Sequence, residues 1–287
     1  NYKNQWSSIT IPYRTMTASI ELNILKRKFH RDILGGGLQI NRDKAGDSEF
    51  GIFQSLFSLS YIKLINSQNN HFISIGIQTG PSQKTINYNA LMFDNQFDGD
   101  KYNPNLSHEE QFNKKELWYL DFSSGLYWFL QLNKQQKYEV GIALFHINTP
   151  NQSFLGKKDI YLDKKFVFYS NNTLELWDKT ALLPSVLYMR QGKYQELTFG
   201  ARLSFIKERR PLDYKATNIG FLVRHKDAII PIFGIDYKSY NFGISYDINI
   251  SKLRNASESR GGLELSFNYR INKSNKLIPR EIPCPIF

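Results

Sequence analysis

Five histidines, a lone cysteine and a short set of aspartates are the residues with which this chain could do metal or acid–base chemistry. Their spacing points away from it. His30, His71, His108, His146 and His225 are scattered, with no i,i+4 pair, no HExxH and no GxSxG elbow, whereas a metal site or a serine triad needs convergent groups. Asp94, Asp98 and Asp100 around Gly99 resemble half of a calcium loop, but Asn105 stands where its closing Glu belongs, so a solvated loop is the reading. Lys26, Arg27, Lys28, His30 and Arg31 form the densest basic cluster, with Phe29 its one aromatic. That suits a solvated turn, or a turn facing lipid phosphate or a partner, better than a nucleic-acid platform. Cys284, being single, excludes an intrachain disulfide framework and a cysteine-based zinc cluster. No catalytic residue, no metal ligand and no cofactor is expected.

What the sequence does contain is strands. In 240–250 the even positions read Tyr240, Phe242, Ile244, Tyr246, Ile248 and Ile250, and the odd ones Asn241, Gly243, Ser245, Asp247 and Asn249. Only a strand gives two chemically opposite faces at a period of two. The same alternation runs through 14–25, 53–62, 73–78, 118–128, 138–144, 197–205 and 262–271, and more weakly through 33–42, 164–176, 180–190, 218–225 and 229–239. Gly35, Gly36 and Gly37 predict a bend or bulge inside one of them.

The connections sort by parity. Linkers near 26–32, 66–70, 133–136, 177–179 and 239–240 are mostly short, while 84–115, 149–163 and 251–260 are long and alternate with them. Outer-membrane barrels join strands by short periplasmic turns and longer external loops, an asymmetry a soluble sandwich has no reason to adopt. The expected fold is an all-β transmembrane antiparallel barrel of about fourteen strands. Residues 1–272 would form it, with residues 1–6 ending a first strand that begins before this chain, and 273–287 would be a periplasmic tail. The long loops would then lie outside the cell.

Composition agrees. The 287 residues carry a net charge of +11 and include 21 Phe and 17 Tyr, a balance that fits an anionic neighbour and a membrane interface. There is no run of eighteen apolar residues, which excludes a transmembrane helix but not a barrel. In a barrel the polar rows turn inward, so Glu21, Asp121, Glu139, Arg202, Asp236, Lys238, Asp247, Glu264 and Arg270 are expected in the lumen. There they would form a structural network of paired charges, or line a selective pore, the alternative being an outer-membrane porin or solute channel.

Several motifs in order carry a resemblance to a known family: Tyr2-Lys3-Asn4-Gln5-Trp6, the Gly35 to Gly37 run followed by Asp43 and Ala45-Gly46, Val140-Gly141 leading to His146 and Pro150, Leu183-Pro184-Ser185, Gly200-Ala201-Arg202, Phe242-Gly243-Ile244-Ser245-Tyr246-Asp247, Gly261-Gly262 with Glu264, and Cys284-Pro285-Ile286-Phe287. The chain resembles the PorP/SprF family of type IX secretion system outer-membrane proteins of the Bacteroidota, on its SprF-like side. It departs at Leu263, where the family commonly has a histidine. The resemblance implies a non-enzymatic component of the secretion and gliding-motility machinery in the cell outer membrane. Implied partners are periplasmic ring lipoproteins of the PorK/GldK and PorN/GldN kind, an SprB-like surface adhesin, and outer-membrane lipid or LPS, with no nucleic acid.

The tail is the expected docking segment. Pro279, Pro283 and Pro285 lack N–H donors, so the stretch is not expected to zip into a closed ladder. Ile282, Pro283, Cys284, Pro285, Ile286 and Phe287 are the candidate partner-binding residues, because their apolar side chains call for a covering surface.

Overall fold

The computed structural model describes residues 1–5, 12–26, 32–46, 48–66, 70–103, 105–107, 114–133, 136–156, 160–208, 213–251 and 260–271. Fourteen strands follow one another: β1 (Tyr2–Gln5), β2 (Tyr13–Lys26), β3 (Ile33–Ala45), β4 (Phe50–Asn66), β5 (His71–Thr85), β6 (Glu116–Gln131) and β7 (Gln136–Phe145). After them come β8 (Lys165–Trp177), β9 (Thr180–Gln191), β10 (Tyr194–Glu208), β11 (Lys215–Arg224), β12 (Ala228–Tyr237), β13 (Tyr240–Asn249) and β14 (Arg260–Tyr269). Each pairs antiparallel with its sequence neighbours, and β1 closes the circle on β14, giving a closed up-and-down barrel. Closure leaves no sheet edge running round the wall, which is the condition for standing in lipid.

Period-two chemistry sets the faces. On β13, Tyr240, Phe242, Ile244, Tyr246 and Ile248 are exposed while Asp247 and Asn249 are buried. On β5, Phe72, Ser74, Gly76, Gln78, Gly80 and Ser82 are buried between exposed Ile73, Ile75 and Ile77. Cross-strand partners point to the same face, so the register carries one inward row from strand to strand around the barrel. Outside, β4 exposes Phe53, Phe57, Leu59 and Tyr61, a stretch of about 20 Å along the axis at ordinary tilt, comparable with the apolar band of a membrane barrel.

The long connections 86–115, 146–164 and 250–259 share one rim, the long-loop rim, with the tight turns 46–49, 192–193 and 225–227. The opposite rim carries 27–32, 67–70, 132–135, 178–179, 209–214 and 238–239, all short. The first long loop contains two single-turn 3-10 helices, Tyr88–Ala90 and Asp94–Gln96. At the short-turn rim the outer face carries rings: Tyr240 stacks on Tyr269 at 4.8 Å and Phe242 meets Phe267 at 4.9 Å. Trp128 donates its Nε1–H to His71 Nε2 at 2.8 Å, satisfying an indole donor on the outer wall.

Two local expectations change. The glycine run does not break β3, whose pairing to β4 is continuous; the register shift lies in the facing strand, between Asn23 and Leu25 of β2. The missing side chains make room instead, since a Cβ on Gly35 or Gly37 would fall 2.6 Å from Ser60 Oγ or Ser58 Oγ. The last strand also ends earlier than expected, at Tyr269.

Among the described residues three prolines stand inside strands, and each falls where one ladder is interrupted. Pro81 lies between the pairs Phe57↔Thr79 and Gln54↔Ser82, Pro184 between Asn171↔Ser185 and Leu174↔Leu182, and Pro231 between Ile229↔Ile248 and Ile232↔Ser245. Lacking an N–H, proline costs least where no bond is due.

Candidate functional site in the barrel interior

The inner wall is held by three kinds of contact. An apolar group of Ile33, Ile62, Phe72, Tyr127 and Phe129, joined by Leu64 and Tyr169, occupies the β3 to β8 side. Phe72 and Phe129 stack at 4.5 Å, and Tyr169 lies where a Cβ on Gly141 would overlap its ring. Above it toward the long-loop rim runs an amide ladder: Gln39 donates to Asn41 (2.9 Å), Gln54 to Ser82 (3.1 Å), and Gln78 to Gln39 (3.5 Å).

The third is ionic and spans the seam where the barrel closes. Asp247 on β13 is 1% exposed and holds two cations through Oδ2, Lys3 Nζ of β1 and Arg224 Nη1 of β11, each at 3.1 Å. Lys3 reaches Glu264 of β14 at 3.4 Å, and Asn1 Nδ2 donates to Glu264 at 2.8 Å. Arg224 also meets Asp227 at 3.1 Å, and its Nε lies 3.4 Å from Glu196 of β10, an ion-pair distance without hydrogen-bond alignment. A carboxylate this buried is tolerated because two opposite charges replace water at Oδ2, although Oδ1 has no hydrogen-bond partner among the described residues.

The expected lumen residues fall as follows. Asp247, Glu264, Asp236, Arg202, Glu139, Asp121 and Glu21 all lie on the inward register row, Glu21 opposite Gly37 where the wall is open to solvent. Asp236 accepts from Asn218 at 3.0 Å and from Asn241, and Arg202 acts on it through its charge. Asp121, 3% exposed, lies 2.8 Å from His146 Nδ1. Lys238 is a correction: it sits in the turn 238–239 with φ +55°, and its Nζ stands 5.3 Å from the outward Tyr237 ring instead of in the lumen. Arg270 is exposed just past β14, its N–H donating to Ser239 O. Lys3, Arg224, Asp227 and Glu196 were not singled out from the sequence, although two inward carboxylates on neighbouring strands were a signal that cations must face them.

His146 also begins the second long loop, and the two residues after it are stapled to β6 by three hydrogen bonds. Ile147 N–H donates to Phe122 O (2.9 Å), Phe122 N–H to Asn148 Oδ1 (3.2 Å), and Asn148 Nδ2 to Leu120 O (2.7 Å). In the first long loop, Asp98 accepts the N–H groups of Lys101 (2.8 Å) and Asp100 (3.0 Å), and these bonds hold its carboxyl below the usual range. The geometry is that of a turn, and no group of three metal-binding side chains occurs among the described residues. The basic cluster at 27–31 and the candidate docking residues Ile282, Pro283, Cys284, Pro285, Ile286 and Phe287 lie outside the described residues.

Comparison with known proteins adds one decisive match. The family described as type IX secretion system membrane protein PorP/SprF matches residues 1–269. No curated protein sequence matches the chain. Among solved structures, a mutant of the ferric enterobactin receptor (PfeA) from Pseudomonas aeruginosa is similar at 10% identity and a TM-score of 0.32. The alignment covers 86% of this chain and 52% of that one, so the chain spans about half the receptor's length; a likeness this slight carries no argument.

Proposed function

The chain belongs to the type IX secretion system membrane protein PorP/SprF family, and on that premise we propose that it is a non-enzymatic outer-membrane component supporting export or anchoring of a cell-surface adhesin. The long-loop rim faces outward, and the short-turn rim faces the periplasm together with the tail 273–287. That tail docks on periplasmic ring lipoproteins of the PorK/GldK and PorN/GldN kind through Ile282 to Phe287, and outer-membrane lipid or LPS surrounds the wall.

The observation that carries this reading is the paired inner wall. Charges of both signs meet one another in Lys3, Asp247, Arg224, Glu196 and Glu264, tying β1, β10, β11, β13 and β14 into one body. A rigid platform for other subunits is served by such pairing, whereas a transport path needs its charges available to solute. The competing porin reading draws on the same polar inner rows. Planar-bilayer recording of the purified barrel separates the two, with steady solute-sized conductance counting for the porin.

The direct test is deletion of 279–287. The barrel should still insert and run as a heat-modifiable species, while co-purification of the ring lipoproteins from native membranes and adhesin display should fall. Undiminished partner recovery would remove the docking role.

A further inference from the structure

On the outer face at the long-loop rim, three cations stand together where a lipid-facing wall meets water. Arg14 of β2 and Lys44 of β3 are directly opposite in the ladder, and Arg42 is two residues along from Lys44, opposite Met16. Side chains in such pairs are about 5 Å apart at Cβ, and like charges placed so repel. Among the described residues Lys44 has one neutralising partner, Glu49, at 2.7 Å. Neither Arg14 nor Arg42 pairs with a carboxylate among the described residues. Asp43, between Arg42 and Lys44 in sequence, points to the other face, where it bonds Tyr13.

Depth makes the cluster informative. Arg42 is flanked by Met16, 56% exposed, and by its β4 partner Phe53, 40% exposed, and the row below continues through exposed Ile20, Ile40 and Phe57. At the far end of the same β4 row stands exposed Lys63, about 25 Å lower along the axis at ordinary strand tilt. The cations therefore sit at one edge of the apolar band, at the level of lipid headgroups. Guanidinium groups bind phosphate oxygens two at a time, and basic residues at this depth attract phosphorylated headgroups.

We propose that Arg14, Arg42 and Lys44 form a binding site for the phosphate groups of lipopolysaccharide in the outer leaflet. The choice of lipopolysaccharide rests on the orientation proposed above; the phosphate site itself rests on the register, the exposure and the lack of a carboxylate partner for Arg14 and Arg42 among the described residues.

The test uses the purified full-length protein in detergent, with bound lipid counted by native mass spectrometry. The probes are diphosphoryl lipid A, its dephosphorylated form and inorganic phosphate. The double variant R14Q/R42Q should lose at least about tenfold in diphosphoryl lipid A affinity, as expected on removing charge-assisted bonds. Lys63→Gln should bind as the unaltered protein does, and all variants should keep heat-modifiable mobility. Equal binding by R14Q/R42Q and the unaltered protein would overturn the site. Equal binding of the dephosphorylated lipid, or displacement of lipid A by equimolar inorganic phosphate, would overturn the lipid-phosphate assignment. Orientation is read separately by protease cleavage within 86–115 on intact cells. Protection there overturns the lipopolysaccharide assignment whatever the titration gives, whereas cleavage with a failed titration overturns the site alone.

Discussion

Arg224 Nη1 and Asp247 Oδ2 lie 3.1 Å apart although their strands are not neighbours; β12 runs between them. The register explains how they meet. Ala228 of β12 is opposite both Arg224 and Asn249, and its methyl group, 0% exposed, lies between the two flanking strands where a larger side chain would stand in the way. A small residue on the middle strand thus permits an ion pair between its two neighbours.

Removing Asp247 should therefore take the shared, buried carboxylate from two half-buried cations, leaving, among the described residues, Lys3 only Glu264 and Arg224 only Asp227 and Glu196. Asp247→Ala is expected to cost about 3–5 kcal/mol, the usual penalty for breaking a buried pair, while Glu264→Gln at the more open end should cost about 1 kcal/mol or less. Urea midpoints of the heat-modifiable barrel measure both. Similar losses for the two would show that Asp247 is not the hub.

The two faces of β13 should respond oppositely to charge. Ile244→Arg places a cation in mid-bilayer and should cost about 2–4 kcal/mol, whereas Ser245→Arg on the inner side should cost much less. Comparable loss of folded barrel in both would contradict the inside and outside rows.

The turn at Asp98 supplies a pH dependence. Its carboxyl titrates below the usual range in the folded loop, so the turn's contribution is complete above the ordinary aspartate value near about 4 and is lost as pH falls through the lowered one. Limited proteolysis of 86–115 should quicken on acidification for the unaltered protein. Asp98→Ala should be cut fast at every pH, and a variant that still slowed at neutral pH would place the effect elsewhere.

The proposed orientation makes a cellular prediction. Protease or cysteine labelling of intact cells should reach 86–115 and 149–163 but not 133–136. Cutting at 133–136 with protection of the long loops would invert the barrel.

Strand number and facing were legible because apolar and polar residues alternate without exception in segments such as 240–250, and because the three long loops all fall on one parity. Strand ends were less so. Lys238 continues the inward parity of Asp236 on paper, but the chain has already entered a turn at positive φ, where alternation no longer fixes direction. The ionic hub was hidden for a different reason: Lys3 and Asp247 meet only because the barrel closes, and no local pattern records closure. Pro81, Pro184 and Pro231 add a lesson about the tail, since prolines do stand in this wall where a ladder bond is missing. Proline content alone therefore does not bar a segment from the wall, and the tail's docking role stands or falls on deletion.

The seam also has a kinetic meaning. Every other pairing joins strands adjacent in sequence, so each hairpin can form by closing a short stretch of chain, while β1 must find β14, and the bond from Asn1 to Glu264 spans 263 positions. Contacts this distant in sequence are slow to form because the loop entropy must be met before any reward arrives. Assembly should then proceed as a growing curved sheet with closure as the late, rate-setting event. The Lys3, Asp247 and Glu264 contacts, made only after closure, should act chiefly on the rate of opening and hardly at all on the rate of assembly.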